Sequence, residues 1–516
     1  MSRKKIVQSY IRYNENVTDG TCYAVFLPAD RRHGGKDLYL GITVDKKNQI
    51  FYNRRIGYYK FTIEDGIQPV DPDIIEYYEI LKKRNKIQMS APLVLDYGDV
   101  WLFNELITQT GIKSVFKEVL SNESDTLLAL IAFKILDTNA NCYAERWYST
   151  SLARFLYPNA KLDSPRISEF LERLGTVESK QAFFNHYVPF FKNLPDVSEN
   201  VLIDSTGLQT DAHFDSAKIS NHNGIVNKES RLIYVVERNT GLPVYFRSVP
   251  GNIVDVTTLK ITLDHLKAYD LDAKHSILDA GYCSEKNIVE LFKKNIPFLI
   301  RMPNGLLAKK LITQNGSDIM STNNLIEYNQ RVMFIKKVAI TLYDHECYIY
   351  ISIDLERKQD EEYKAYIKYL ENKDKKIFKK ENANSNIPMG GFILISSNDM
   401  TIDEVLPLYY MRQTIEQTFD YLKNDVCMLP VRNSKAETFN GHLLLSFMAT
   451  IAIILIKRHA KKRKKLAKFP ATQILQSMRC IKGELIKNLI IPTEPDKYAN
   501  LIIKELNLDG PSPIKI

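Results

Sequence analysis

A chain of 516 residues has room for two to four domains, each able to bury its own core, and its 45% apolar and 25% charged content match an ordinary soluble globular protein. The net charge of +9 is a modest excess; it permits a polyanionic partner, and its distribution matters more than its sum. Six scattered cysteines (Cys22, Cys142, Cys283, Cys347, Cys427, Cys480), with no C-x-x-C pair, exclude a zinc finger and a disulfide framework and fit a reducing cytoplasm.

The N-terminal run MSRKKIVQSYIRYNE has no apolar core of the kind a signal peptide needs. Residues 1–95 alternate in short runs such as DLYLGITV and QIFYNRRIGYY, which predict a β-rich region of strands and turns. From 96 to 198 the period becomes helical. WLFNELITQTG, SVFKEVL, TLLALIAFKIL and RISEFLERLG carry apolar residues every three or four positions. Short helices in series suit a DNA-binding region and equally a plain helical domain.

At 200 the texture changes. VLIDST is an apolar run that reaches an acid, and RLIYVVER and LPVYFRSV are strand-like runs joined through Asn239-Thr240-Gly241. A helix follows over 256–269, then the strand HSILDAG, a helix over 285–294 and the strand IPFLIRM. This order predicts an α/β core with a mixed sheet, built from 199–303 and 386–460. Residues 304–385 interrupt it with strand-like RVMFIKKVAITL and CYIYISID and a charged helical tract, and read as a β-rich inserted subdomain. The polar stretch KKENANSNIPMGG ends the insertion, and GFILISS resumes the core.

The longest apolar stretch, Leu443 to Ile456, is 14 residues; it is too short to cross a bilayer and reads as a buried helix. The expectation is a soluble, cytoplasmic protein with no membrane partner. Residues 461–516 read as a basic helical region, ATQILQSMRCIKGELIKNL being its main helix.

Three acids carry the chemistry. One helix is predicted over Leu408–Lys423, and at about 100° per residue Tyr409, Arg412, Glu416 and Lys423 share an arc of about 60°. Leu408, Met411, Ile415, Phe419 and Leu422 form an adjacent apolar stripe. Taken alone, Arg412 and Glu416 read as a surface i, i+4 pair. Two further acids change that reading. Asp204 ends the run Val201-Leu202-Ile203 and Asp279 ends Ser276-Ile277-Leu278, with Gly281 allowing a sharp exit. A lone strand-end Asp is commonly a turn former. Three carboxylates on such edges of one α/β segment fit a two-metal site better. Two Mg²⁺ about 4 Å apart can activate an attacking oxygen and stabilise a leaving one. Mg²⁺ takes a few carboxylates and otherwise water and phosphate oxygens.

Tyr409-x2-Arg412-x3-Glu416-x6-Lys423 resembles the Y-R-E-K signature of the DDE transposases of bacterial insertion sequences. Asp204 in LIDSTG, Asp279 in LDAGYCSEKNI, Gly251-Asn252-x-x-Asp255 and the apolar GHLLLSFMATIAIIL match in order. The 137 residues between Asp279 and Glu416 resemble the subgroup with a β-rich insertion before the Glu helix. The resemblance covers about 200–456.

The resemblance implies a ribonuclease H-like fold, with Asp204, Asp279 and Glu416 as catalytic ligands of two Mg²⁺, for which Mn²⁺ would substitute. It implies a nick at the transposon end by water, then attack of the freed 3′-hydroxyl on DNA, often through a hairpin. Tyr409, Arg412 and Lys423 would contact DNA phosphates. An aromatic of the insertion stacks on a flipped base in such enzymes; Trp101 and Trp147 lie upstream, so here it would be Tyr or Phe. The implied partners are double-stranded DNA, as transposon ends and target, and a second copy in a synaptic homodimer on the bacterial nucleoid.

A second DNA signal is 457–468, where eight of twelve residues are Lys or Arg and none is acidic. Lys457, Arg458, Lys461, Lys462, Arg463, Lys464 and Lys465 would touch DNA phosphates or form a solvated tail. His213, His222 and His275 lie near core segments and read as structural. Two other readings stand beside the transposase: a ribonuclease H-like endonuclease without strand transfer, and a DNA-binding protein without catalysis. The Y-R-E-K helix and the large flanking regions oppose the first, and the intact acids oppose the second.

Overall fold

The computed structural model describes residues 8–16, 21–29, 35–75, 78–79, 94–137, 139–210, 216–222, 225–253, 255–371, 390–426, 435–486 and 488–515. His213 and the polar stretch 379–389 lie outside them, and so does Cys427. Contacts divide the chain into two units, Met1–Leu93 and Val94–Ile516.

In the first unit, strands β1 (Tyr10–Glu15), β2 (Cys22–Leu27), β3 (Leu38–Asp45), β4 (Ile50–Asn53), β5 (Gly57–Thr62) and β6 (Gly66–Pro69) form an antiparallel meander in sequence order. Alternation brings Ala24, Leu40, Phe51, Tyr59 and Phe61 to one small core. Tyr59 donates its hydroxyl to the Leu40 carbonyl at 2.6 Å.

The second unit opens with β7 (Val94–Asp96) and helices that include Gly98–Gln109, Ser124–Leu136, Ser164–Leu174 and Val177–Lys192. Local chemistry starts the last two. Asp163 accepts the Arg166 N–H ahead of Pro165, and Thr176 accepts that of Ser179. These helices do not stand apart as a module. They surround the helix Ala436–Lys461, and one continuous core joins them to the sheet. Two glycines set the closest approach: a Cβ on Gly441 would lie 1.9 Å from the Leu171 carbonyl oxygen, and one on Gly175 1.9 Å from that of Glu437. Phe183, Phe184 and Tyr187 meet Phe447 across the same seam.

The central sheet contains β8 (Asn200–Gln209), β9 (Lys218–His222), β10 (Ile225–Glu237), β11 (Pro243–Pro250), β12 (His275–Leu278), β13 (Phe298–Arg301), β14 (Leu325–Tyr328), β15 (Arg331–Leu342), β16 (His345–Asp354) and β17 (Gly391–Ser396). Its order is β11-β10-β8-β12-β13-β17-β16-β15-β14, with β9 beside β10. β8, β12 and β13 are parallel, and helices Leu259–Ala268 and Glu285–Lys293 make the crossovers. The remaining neighbours are antiparallel, so the α/β class and the mixed sheet agree with the sequence.

The sheet and the C-terminal region depart from expectation at three places. Asp204 does not end its strand. β8 continues to Gln209 because the longer β10 pairs it throughout, from Glu237↔Val201 to Glu229↔Gln209. The strands of the insertion do not form a sheet of their own. β17 is buried along its whole length and pairs β13 on one side and β16 on the other, which carries β14–β16 into the central sheet. The C-terminal region is only partly helical. After Ala471–Ser477 the chain forms β18 (Lys482–Ile486), β19 (Leu489–Pro492) and β20 (Ile514–Lys515), in the order β20-β19-β18-β7. Gly483 allows this, since a Cβ there would be 2.7 Å from Ile490 and 2.9 Å from Tyr97.

The apolar stretch Leu443–Ile456 does lie in a buried helix, which extends beyond it to 26 residues. That helix is long and apolar enough to cross a membrane by composition alone, but 94% of its most apolar window is buried inside the protein.

Candidate active site

The parallel pairing Leu278↔Ile203 sets Asp279 beside Asp204 on adjacent strands. The two acids therefore meet where β12 ends beside the middle of β8, although they are 75 positions apart in sequence. Asp204 is mostly buried, with a side-chain exposure of 16%, while Asp279 is 37% exposed and Glu416 60%. Burial pushes the Asp204 carboxyl up to about 6; Arg412 and the Ser205 N–H, 2.8 Å from Oδ1, oppose that rise, and Asp279 adds to it.

The helix that delivers Glu416 is not the single one expected over Leu408–Lys423. It consists of Ile402–Tyr410 and Gln413–Asp420, followed by a π-helical turn over Tyr421–Asp425. At the junction the N–H groups of Arg412, Thr414 and Ile415 bond carbonyls three residues back, a local tightening to 3₁₀ geometry. Uniform angular spacing therefore fails at Arg412. Its side chain reaches the two aspartates while staying within ion-pair distance of Glu416.

There Arg412 gathers all three acids. Nη2 stands 3.2 Å from Asp204 Oδ2 and 3.8 Å from Glu416 Oε1, and Nη1 stands 2.9 Å from Asp279 Oδ1. Burial works against the guanidinium charge, but Asp279 and Asp204 outweigh it and raise its pKa. The rest of the signature collects around this centre. The Tyr409 hydroxyl accepts from Arg412 Nη1 at 3.3 Å, and its buried ring stacks on Phe392. Lys423, carried by the π-turn, donates to the Thr206 hydroxyl at 2.6 Å. Thr206 lies two residues beyond Asp204, on the same face of β8. Burial lowers the Lys423 pKa.

Sequence reasoning gave Arg412 a phosphate and overlooked that it joins the acids. It also gave Asp255 no role. Asp255 accepts from Ser205 Oγ at 2.6 Å and pairs with Arg231 at 3.0 Å. A Cβ on Gly281 would lie 3.0 Å from its other oxygen. Asp255 thus braces the neighbour of Asp204 and the turn that follows Asp279. No periodic signal marks it; only the G-N-x-x-D motif singled it out. His275 is half-buried; burial lowers its pKa to about 4, and among the described residues its buried Nδ1 has no partner.

The basic run separates by partner. Arg458 donates to the Pro195 carbonyl at 2.9 Å, and Lys465 pairs with Glu505 at 2.9 Å. Arg463 is half-buried, whereas Lys461, Lys462 and Lys464 are exposed. Lys457 donates to the Tyr421 hydroxyl, with its ammonium 4.8 Å from that ring's centroid.

Among the described residues no three Asp, Glu, His or Cys side chains close into a metal-holding group. The donor set still fits Mg²⁺ on this structure's own chemistry. Three carboxylates converge on one cation, Arg412, with no thiol or imidazole among them, and the most buried of them resists ionisation when it lacks a stronger positive charge. Asp204, Asp279 and the exposed Glu416 side chain are the groups that would hold such an ion.

A family model described as a transposase DDE domain matches residues 197–455. Six chains of solved structures match. One is a cryo-EM structure of a piggyBac transposase synaptic complex with hairpin DNA, at 10% identity over 74% of this chain and 79% of that one, with a TM-score of 0.39. A likeness at that level carries no argument here. No curated protein matches the chain.

Proposed function

The chain belongs to the transposase DDE domain family, whose model spans half its length, and from that premise we propose that it is a DNA transposase that cuts and transfers the ends of a bacterial insertion sequence. The observation that carries this reading is the convergence of Asp204, Asp279 and Glu416 on Arg412. The strand order supports a ribonuclease H-like core, with β8, β12 and the Glu416 helix as the elements that bear the acids. The Tyr409, Arg412, Glu416 and Lys423 spacing supports membership of the Y-R-E-K subgroup.

In this reading Asp204, Asp279 and Glu416 hold two Mg²⁺, or Mn²⁺ in its place. Bound there, the ions lower the pKa of the attacking oxygen and stabilise the leaving one. The chain's own groups do the positioning. Arg412 presents a planar fork that can pair with two phosphate oxygens, and Lys423, fixed by Thr206, adds a point charge next to it. In the first step a water oxygen bonds to the scissile phosphorus as the P–O3′ bond breaks, and the 3′-oxygen leaves with a proton. In the second that 3′-hydroxyl attacks a phosphorus of target DNA and displaces another 3′-oxygen. The partners are double-stranded DNA and a second copy of the chain, which together would hold two ends in one synaptic complex in the bacterial cytoplasm.

Strand transfer separates this reading from a simple nuclease. A labelled, pre-cut end with a free 3′-hydroxyl is incubated with protein, Mg²⁺ and a target plasmid. Label joined covalently to the plasmid is the expected result; cutting without joining would replace the transposase reading with the endonuclease one.

A further inference from the structure

Beside the Glu416 helix lies an open groove of about 640 Å³. One wall is the outer face of that helix and the π-turn, with Gln417 and Tyr421; the other carries Lys457, Lys461, Lys468 and Phe469 from the end of the long helix and the turn after it. Among the described residues the lining carries one carboxylate, Asp420, against three lysines. Among the described residues neither Lys461 nor Lys468 is paired with a carboxylate, and both are exposed. Phe469 is half-buried beside Lys468, whose ammonium is 5.5 Å from the ring centroid. Tyr421 lies under Lys457 in the same way.

Lysines alternating with aromatic rings along a groove are the chemistry of an unpaired nucleic-acid strand. The cations follow phosphates, while the rings offer faces that a duplex, with its bases stacked inside, cannot use. Gln417 and Asp420 on the wall belong to the helix that carries Glu416, so the groove runs along the same helix as the proposed cutting centre. We propose that this groove binds a single strand of DNA leaving the scissile position, with Lys461 and Lys468 on its phosphates and Phe469 against a base. The proposal rests on the reading of the chain as a DNA-cutting enzyme, but its test measures binding alone, so either can fail without the other.

The probe is a fluorescein-labelled 20-nucleotide oligo-dT, with a 20-base-pair dA·dT duplex as its counterpart, titrated with full-length protein in chelator over a range of salt. Two phosphate contacts on a single strand contribute about 1.4 to the slope of log affinity against log salt. Lys461→Ala with Lys468→Ala is expected to reduce the slope by about that amount and to weaken oligo-dT binding roughly tenfold. Phe469→Leu, which keeps an apolar side chain for packing, is expected to weaken oligo-dT binding about fivefold or more with an unchanged slope, and to affect the duplex less. Melting temperatures equal to wild type establish that the variants are folded. Wild-type slope and affinity in the lysine variant would overturn the groove. An equal loss on duplex in Phe469→Leu would overturn its assignment to a single strand.

Discussion

Arg412 Nη1 stands 2.9 Å from Asp279 Oδ1, so a residue expected to hold DNA also neutralises the acids in the protein alone. Its fork reaches Asp204 with the second nitrogen, at 3.2 Å. A lysine carries the charge but cannot span both carboxylates. Arg412→Lys is expected to reduce end cleavage about 100-fold, the scale of removing one preorganised donor. Arg412→Ala should also destabilise the metal-free protein by about 2 kcal/mol, as urea unfolding would measure, because Asp204 and Asp279 are left side by side. Full activity in Arg412→Lys would mean that only the charge matters.

The raised pKa of Asp204 makes a signed prediction about stability. Its folded value is about 6, against 3.8 for an ordinary aspartate. Below pH 4 both folded and unfolded states are protonated and the group contributes nothing. Between 4 and 6 the unfolded chain ionises first, and folding weakens as pH rises. Above 6 the loss is complete, about 3 kcal/mol. Asp204→Asn is neutral throughout, so in chelator it should be the more stable protein at pH 7.5 and equal to wild type near pH 4. Denaturant midpoints at the two pH values measure this; a variant less stable at pH 7.5 would contradict the burial argument.

Metal should reverse that order. Mn²⁺ or Mg²⁺ bound by three carboxylates stabilises the folded state in proportion to its occupancy. The melting temperature of wild type is expected to rise on titration with Mn²⁺, and that of Asp204→Asn with Asp279→Asn to stay flat. Equal responses in both would place the ion elsewhere.

The two aspartates were legible because a short apolar run that stops at an acid reads as a buried strand delivering a carboxylate. Glu416 was legible from the apolar stripe beside it, of which Ile415, Phe419 and Leu422 are buried. What escaped was decided by distant partners. The break before Gln413 accompanies the reach of Arg412 to strands more than a hundred residues upstream. KGELIKNLII suits either period, and its pairing with β7 made it a strand. Strands of the insertion looked local, yet β16 found its partner in β17 across 37 residues. Composition joined the basic run into one patch, and the contacts of Lys457 with Tyr421, Arg458 with Pro195 and Lys465 with Glu505 show which of its cations are already engaged.

The helical region is welded to the core at two glycines, and this too can be tested. Gly441→Ala places a methyl group 1.9 Å from a backbone oxygen of the neighbouring helix, which must shift to admit it. A loss of about 2–3 kcal/mol is expected, with the urea midpoint as the measurement. An unchanged midpoint would show that the helices Ser164–Leu174 and Ala436–Lys461 do not depend on that close approach.

The central claim is that Asp204, Asp279 and Glu416 form one metal-dependent cutting centre. Its most direct test is a supercoiled plasmid carrying the element's own ends, incubated with Mg²⁺ and either wild type or Glu416→Ala. The account predicts excision by wild type that stops in chelator, and end binding without excision by Glu416→Ala. Equal cutting by both proteins would contradict it.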